Sequence, residues 1–86
     1  MSSAAEIKAQ IQAAIEQINE AVSAATTAST QAEGGIATGT ATTQETNNQM
    51  PGEALGQWQQ ARERLDEAVM LFQSGSSTFE QYMNVI

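Results

Sequence analysis

Residues 55–86, LGQWQQARERLDEAVMLFQSGSSTFEQYMNVI, decide the fold. Leu55, Trp58, Arg62, Leu65, Val69, Phe72, Ser76, Phe79, Met83 and Ile86 follow one another in alternating steps of three and four residues. That spacing keeps side chains on one side of a helix and makes a heptad seam. One column of the seam, Trp58, Leu65, Phe72, Phe79 and Ile86, is bulky throughout. The adjacent column, Ala54, Ala61, Ala68, Gly75 and Tyr82, is small up to its last member. The reading predicts a second helix over about 53–85, near 51 Å long at about 1.5 Å per residue. Ser74-Gly75-Ser76-Ser77-Thr78 is its soft point, and Ser77-Thr78-Phe79-Glu80 has the form of a capping box. Because the seam phase crosses residues 74–77 unbroken, a bent continuous helix is expected there in preference to a restart.

Upstream, Asn47-Asn48-Gln49-Met50-Pro51-Gly52 gathers turn formers around the only proline, which suits the first turn of a new helix. Before that break lies a second amphipathic pattern. Ser3-Ala4-Ala5-Glu6 can cap a helix, and Ile7, Ile11, Ile15, Ile18, Val22 and Ala25 recur at helical spacing, with Ala28, Ala32 and Ile36 in phase. Gly34 to Thr43 is ambiguous when read locally, since each glycine costs about 1 kcal/mol in a helix. Folding the chain back at about position 49 resolves it: residues whose numbers total roughly 98 then face each other. Trp58 meets the neighbourhood of Gly39, Leu65 that of Ala32, and Phe72 that of Ala25 and Ala28. Large residues opposite small ones fill space without voids, and Gly35 and Gly39 would leave room for an indole. The expected fold is all-α, an antiparallel two-helix hairpin of coiled-coil type in a single domain, 1–86. Helix one spans about 3–45, the turn about 46–52.

The 86 residues carry ten acidic and three basic side chains, no histidine and no cysteine, for a formal charge of −7. Nucleic acid is a poor partner for such a chain, because counterion release needs clustered Lys and Arg. Thiolate and imidazole chemistry is excluded by composition, so no cofactor or metal is expected. Glu16 with Glu20, and Glu63 with Asp66 and Glu67, share helix faces, but the faces are the solvated ones and no catalytic residue is assigned. No P-loop or nucleophile elbow is present. No apolar run approaches the ~18 residues of a membrane helix, and the N-terminus lacks a basic leader. The expectation is a protein of the cytoplasm, or one secreted without a cleavable signal peptide, with no membrane insertion.

A single seam this rich in alanine falls short of the burial that ordering 86 residues demands, so the hairpin is expected to complete a bundle by oligomerising or by binding a helical partner. The expected contacts are Ile7, Ile11, Ile15, Ile18, Trp58, Leu65, Phe72, Phe79, Tyr82 and Met83. Trp58 suits either core filling or an exposed anchor, and Tyr82 suits docking. Arg62, a charge in the seam, either packs its stem while its head reaches Asp66 or Glu33, or sets register and partner choice.

An acidic, Ala/Gln-rich, cysteine-free helical hairpin of under 100 residues with Trp58 near its turn resembles the small W-x-G superfamily exported by type VII secretion. Gln59-Gln60 follow the tryptophan here in place of x-Gly, and Ile86 stands four residues after Tyr82, where the family's export signal has an acid. Met1-Ser2, Glu6-Ile7-Lys8, Glu80-Gln81-Tyr82 and the terminal Ile86 also resemble the ends of uncharacterised actinobacterial toxin-associated N-terminal helical modules. The resemblance implies a non-catalytic adaptor or assembly module; the alternative reading, of a different class, is a structural subunit of a larger filament or particle.

Overall fold

The computed structural model describes residues 2–86 and consists of two helices, α1 (Ala4–Thr42) and α2 (Met50–Val85), packed antiparallel along their lengths. Ser3 caps α1, its hydroxyl accepting from the Glu6 backbone N–H at 3.1 Å. The helix runs straight through the glycine- and threonine-rich stretch. Gly34, Gly35 and Gly39 all keep negative φ, and the threonine hydroxyls fold back on their own helix. Thr40 Oγ1 donates to the Ile36 carbonyl and Thr42 Oγ1 to the Thr38 carbonyl, each at 2.7 Å. Each hydroxyl is thereby satisfied locally without leaving the helix. Thr43 closes α1 by sending both its N–H and its hydroxyl to the Gly39 carbonyl, three residues before the expected end.

In the turn, the Met50 N–H donates to Asn48 Oδ1 at 2.8 Å, an Asx-type closure that launches α2. With Pro51 in its first turn, α2 therefore starts three residues earlier than the sequence reading placed it. It then continues to Val85 without interruption. Thr78 Oγ1 donates back to the Ser74 carbonyl at 3.1 Å, so Ser77-Thr78-Phe79-Glu80 lies inside the helix and caps nothing.

The seam of α1 is a regular pair of heptad columns. Ile15, Val22, Ser29, Ile36 and Thr43 form one, and Ile11, Ile18, Ala25, Ala32 and Gly39 the other; all are at least half-buried. The second column tapers from isoleucine to glycine toward the turn. At its narrow end the helices approach closely, because a Cβ added to Gly39 would lie 3.0 Å from Leu55 Cδ2 and 3.4 Å from the Trp58 ring. The indole thus sits against α1 at Gly39, as the facing-residue reading expected. Gly35 has no such role, since a Cβ there would meet nothing within 4 Å.

On α2 the centre of the contact is Leu55, Arg62, Val69, Ser76 and Met83, all half-buried. The bulky column is displaced to the rim: of its members only Leu65 is half-buried, while Trp58, Phe72, Phe79 and Ile86 remain exposed. This corrects the expectation that large rings fill the space between the helices. At Gly39 the end of Leu55 already occupies the space beside α1, and α2 is turned about its own axis so that the row Leu55, Arg62, Val69, Ser76 and Met83 faces α1 while the rings lie along the edge of the contact.

Two polar links cross the middle of the hairpin. Ser29, the one buried residue among those described at 8% exposure, donates its hydroxyl to Asp66 Oδ1 at 2.9 Å. One turn on, the Arg62 guanidinium pairs with Glu33, which selects that partner over Asp66. Arg62 Nε is buried without a partner, so the stem lies within the contact while the head reaches out. Losing Asp66 strands a buried hydroxyl. Asp66→Ala is accordingly expected to cost about 1.5 kcal/mol, and Ser29→Ala with Asp66→Ala together less than their separate losses, with about 1 kcal/mol of coupling. Urea denaturation at one fixed chain concentration measures this. Strict additivity would show that the link contributes nothing.

Candidate interaction surface

No hydrophobic side chain among the described residues is fully buried. The molecule is a rod, 65 × 18 × 15 Å, with a radius of gyration of 19.4 Å against about 12 Å for a compact chain of this length. Its accessible surface is 6473 Å², about 1,600 Å² more than a folded monomer of 9.1 kDa ordinarily exposes. The large apolar side chains on that surface are unevenly placed.

The ten residues expected to make contacts divide in two. Ile7, Ile11, Ile15, Ile18, Leu65 and Met83 are half-buried in or beside the hairpin seam. Trp58, Phe72, Phe79 and Tyr82 are exposed, Trp58 at 52%. The structure therefore does not bring the ten together as one outer face. The exposed four share a flank of α2 with residues that the seam reading left outside it, Leu71 at 74% and Val85 at 80%. Around a heptad wheel this flank consists of the bulky column, the small column Ala54–Ala61–Ala68–Gly75–Tyr82, and the column Gln57–Arg64–Leu71–Thr78–Val85.

On α1 the matching flank carries Ile7, Ala14, Ala21, Ala28, Gly35 and Thr42, edged by Gln10, Gln17, Ala24, Gln31 and Thr38. Both flanks lie on the same side of the hairpin, because two apolar depressions open there between the helices. Ala14, Ile18, Phe72, Gly75 and Phe79 help line one of about 190 Å³; Ala32, Gly35, Trp58 and Ala61 line another of about 290 Å³.

Charge is segregated to match. Along α1 and α2 this side carries no carboxylate and one cation, Arg64, which is tied to Glu67 at 3.1 Å. Of the ten acidic residues nine lie on the other helix faces and Glu45 lies in the turn. Composition alone did not reveal this face, but sorting the acids by heptad position would have. Met70, well exposed, had no place in the sequence reading and belongs to no apolar column; Met50, read there only as part of the turn, is exposed too and stands one heptad before Gln57.

Nothing among the described residues gathers three or more potential metal ligands, and neither helix is long and apolar enough to cross a membrane. Glu16 and Glu80 border a shallow groove on the opposite side, lined also by Gln12, Ile15 and Met83. With only these two carboxylates the groove offers a cation an incomplete donor set. No protein-family model matches the chain, and no curated protein or solved structure matches it.

Proposed function

We propose that the chain is a non-enzymatic helical interaction module, an adaptor of the W-x-G-like, secretion-associated kind, which works by packing the carboxylate-free side of its hairpin against another protein. One observation carries this reading. A chain with a formal charge of −7 keeps its carboxylates off one entire side and sets Trp58, Phe72, Phe79 and Tyr82 there, unburied. An aromatic stripe free of like-charge repulsion is the composition of an interface centre, where charged residues are depleted and Trp and Tyr dominate the binding energy. Exposed aromatic and aliphatic side chains grouped on one face and rimmed by polar residues mark interaction sites.

Site-specific photo-crosslinking tests it. A photoreactive residue at Tyr82 or Trp58 should yield one defined covalent protein complex in the cell, whether with another protein or with a further copy of the chain. The same group at Gln60, exposed on the far side of α2, should yield none. Equal yield at Gln60 and Tyr82, or none at either aromatic position, would remove the reading.

A further inference from the structure

We propose that Met83 is a modification site that acts as a latch: oxidation of its thioether to the sulfoxide by a peroxide releases the open end of the hairpin. The row of α2 that faces α1 is Leu55, Arg62, Val69, Ser76 and Met83, all half-buried. Beyond Val69 its members are Ser76, which is polar, and Met83. Met83 is thus the only apolar side chain that this row offers to the last turns of the helix. The rings beside it lean on the rim, Phe79 being 50% and Tyr82 44% exposed. At this end α1 presents Ile11 and Ile15, both half-buried, and Ile15 lies beside Met83 in the wall of one groove. The end of the hairpin far from the turn is therefore pinned, at the centre of the contact, by one thioether.

Met50, Met70 and Met83 are the methionines among the described residues. The first two are 70% and 67% exposed and stand outside the seam row, so an oxygen added there meets water and disturbs no packing between the helices. Met83 combines packing with access. It borders an open groove of about 410 Å³ whose other lining residues are Gln12, Ile15, Glu16 and Glu80. That groove lies away from the aromatic stripe, so a protein docked on the stripe leaves it open.

Hydrogen peroxide is the co-reactant. A sulfur lone pair attacks one peroxide oxygen, and the S–O bond forms as the O–O bond breaks. The departing hydroxide takes the proton of the transferred oxygen and leaves as water, so sulfur loses two electrons and peroxide gains them. The product is polar and chiral, and its oxygen only accepts hydrogen bonds. Around the groove it finds two carboxylates, which are acceptors too, and one donor group, the Gln12 amide. Lys8, one turn beyond Gln12, does not line the groove. An oxygen kept in the contact stands beside like acceptors, and one turned to water draws the sulfur out of the seam. Either way the apolar contact is lost. Methionine sulfoxide reductases restore the thioether, which makes the latch reversible. The latch does not depend on the interaction-module reading. Phe79 and Tyr82 ride on the released segment, so where that reading holds, oxidation also displaces one end of the docking stripe.

Amide hydrogen exchange on the full chain, treated with hydrogen peroxide at one fixed chain concentration, tests the proposal. Peptide mass mapping should find oxygen entering Met83 within about tenfold of the rate at Met50 and Met70. After oxidation the amides of residues 11–15 and 77–82 should exchange about tenfold faster, and the melting temperature should fall by about 5–10 °C. Reductases specific for the two sulfoxide epimers, added together, should reverse both changes. Met83→Leu keeps an apolar side chain in the seam and removes the sulfur. Under the same treatment, which still oxidises Met50 and Met70, this variant should exchange and melt as it does untreated.

A Met83 that stays unreacted once Met50 and Met70 are fully oxidised overturns the proposal. So does an oxidised Met83 with exchange and melting unchanged, or a loss that the reductases leave in place. An equal loss in treated Met83→Leu also overturns it, because the effect would then belong to Met50 or Met70. A failed Tyr82 cross-link in untreated protein would remove the interaction module and leave the latch standing.

Discussion

Gly39→Leu is expected to destabilise the protein by about 2 kcal/mol, lowering the melting temperature by roughly 8–16 °C. Gly39 ends the tapering column of α1 and faces α2 at close range. Even a single added carbon would stand 3.0 Å from Leu55 Cδ2 and 3.4 Å from the Trp58 ring. The position lies in the seam, half-buried, and the added side chain starts in contact with Leu55 and Trp58. It must wedge the helices apart or displace both neighbours. Leucine favours the helix by about 1 kcal/mol over glycine, which offsets part of an overpacking penalty of up to about 3 kcal/mol. Gly39→Ala is the informative control. Its single methyl meets the flexible end of Leu55, so gain and clash should nearly cancel. Thermal melts of the two variants at one chain concentration measure the difference. Equal stability for Gly39→Leu and the wild type would mean that the helices do not approach at this point.

Gly34→Ala combined with Gly56→Ala should act in the opposite direction, stabilising by about 2 kcal/mol and raising the melting temperature by about 8–16 °C. Both glycines sit inside helices with negative φ, point outward, and would place a Cβ where nothing lies within 4 Å. Alanine therefore restricts the unfolded chain without straining the folded one. Neither residue lies on the carboxylate-free side, so that surface should be undisturbed. Gly34→Ala alone also checks the helix itself. If residues 34–42 were coil in solution, the substitution would leave the melt unchanged and Gly39→Leu would be equally silent.

These glycines show how far the amino-acid order could be read. From spacing alone, Gly34 to Thr43 belonged either to a linker or to a weak helix. The long-range match to Trp58 and Leu65 pointed to the helix, and the helix continues to Thr42. The local chemistry that sustains it, threonine hydroxyls returned to carbonyls four residues back, depends on rotamers that spacing does not encode. Arg62 was legible as a seam cation with two carboxylates in reach. Choosing Glu33 took the geometry, because Asp66 is engaged by Ser29. Ser29 itself passed unnoticed. A lone serine in an aliphatic column reads as a lapse in the pattern until its partner across the hairpin is known.

By itself, the order of residues determined that there would be two long helices, where they would turn, and which residues would meet across the hairpin within about one helical turn. Helical periodicity, caps and a proline act over a few residues, and size matching along a rod leaves little freedom in register. Only the tertiary structure decided how α2 is rotated about its own axis. Two rows of its heptad were candidates for the contact, and the choice is made by how side chains of both helices pack across the hairpin, which neither helix encodes alone. That packing took in Leu55, Arg62, Val69, Ser76 and Met83 and left Trp58, Phe72, Phe79 and Tyr82 outside. A rotation of this kind changes no periodicity, yet it turns a predicted core into a surface.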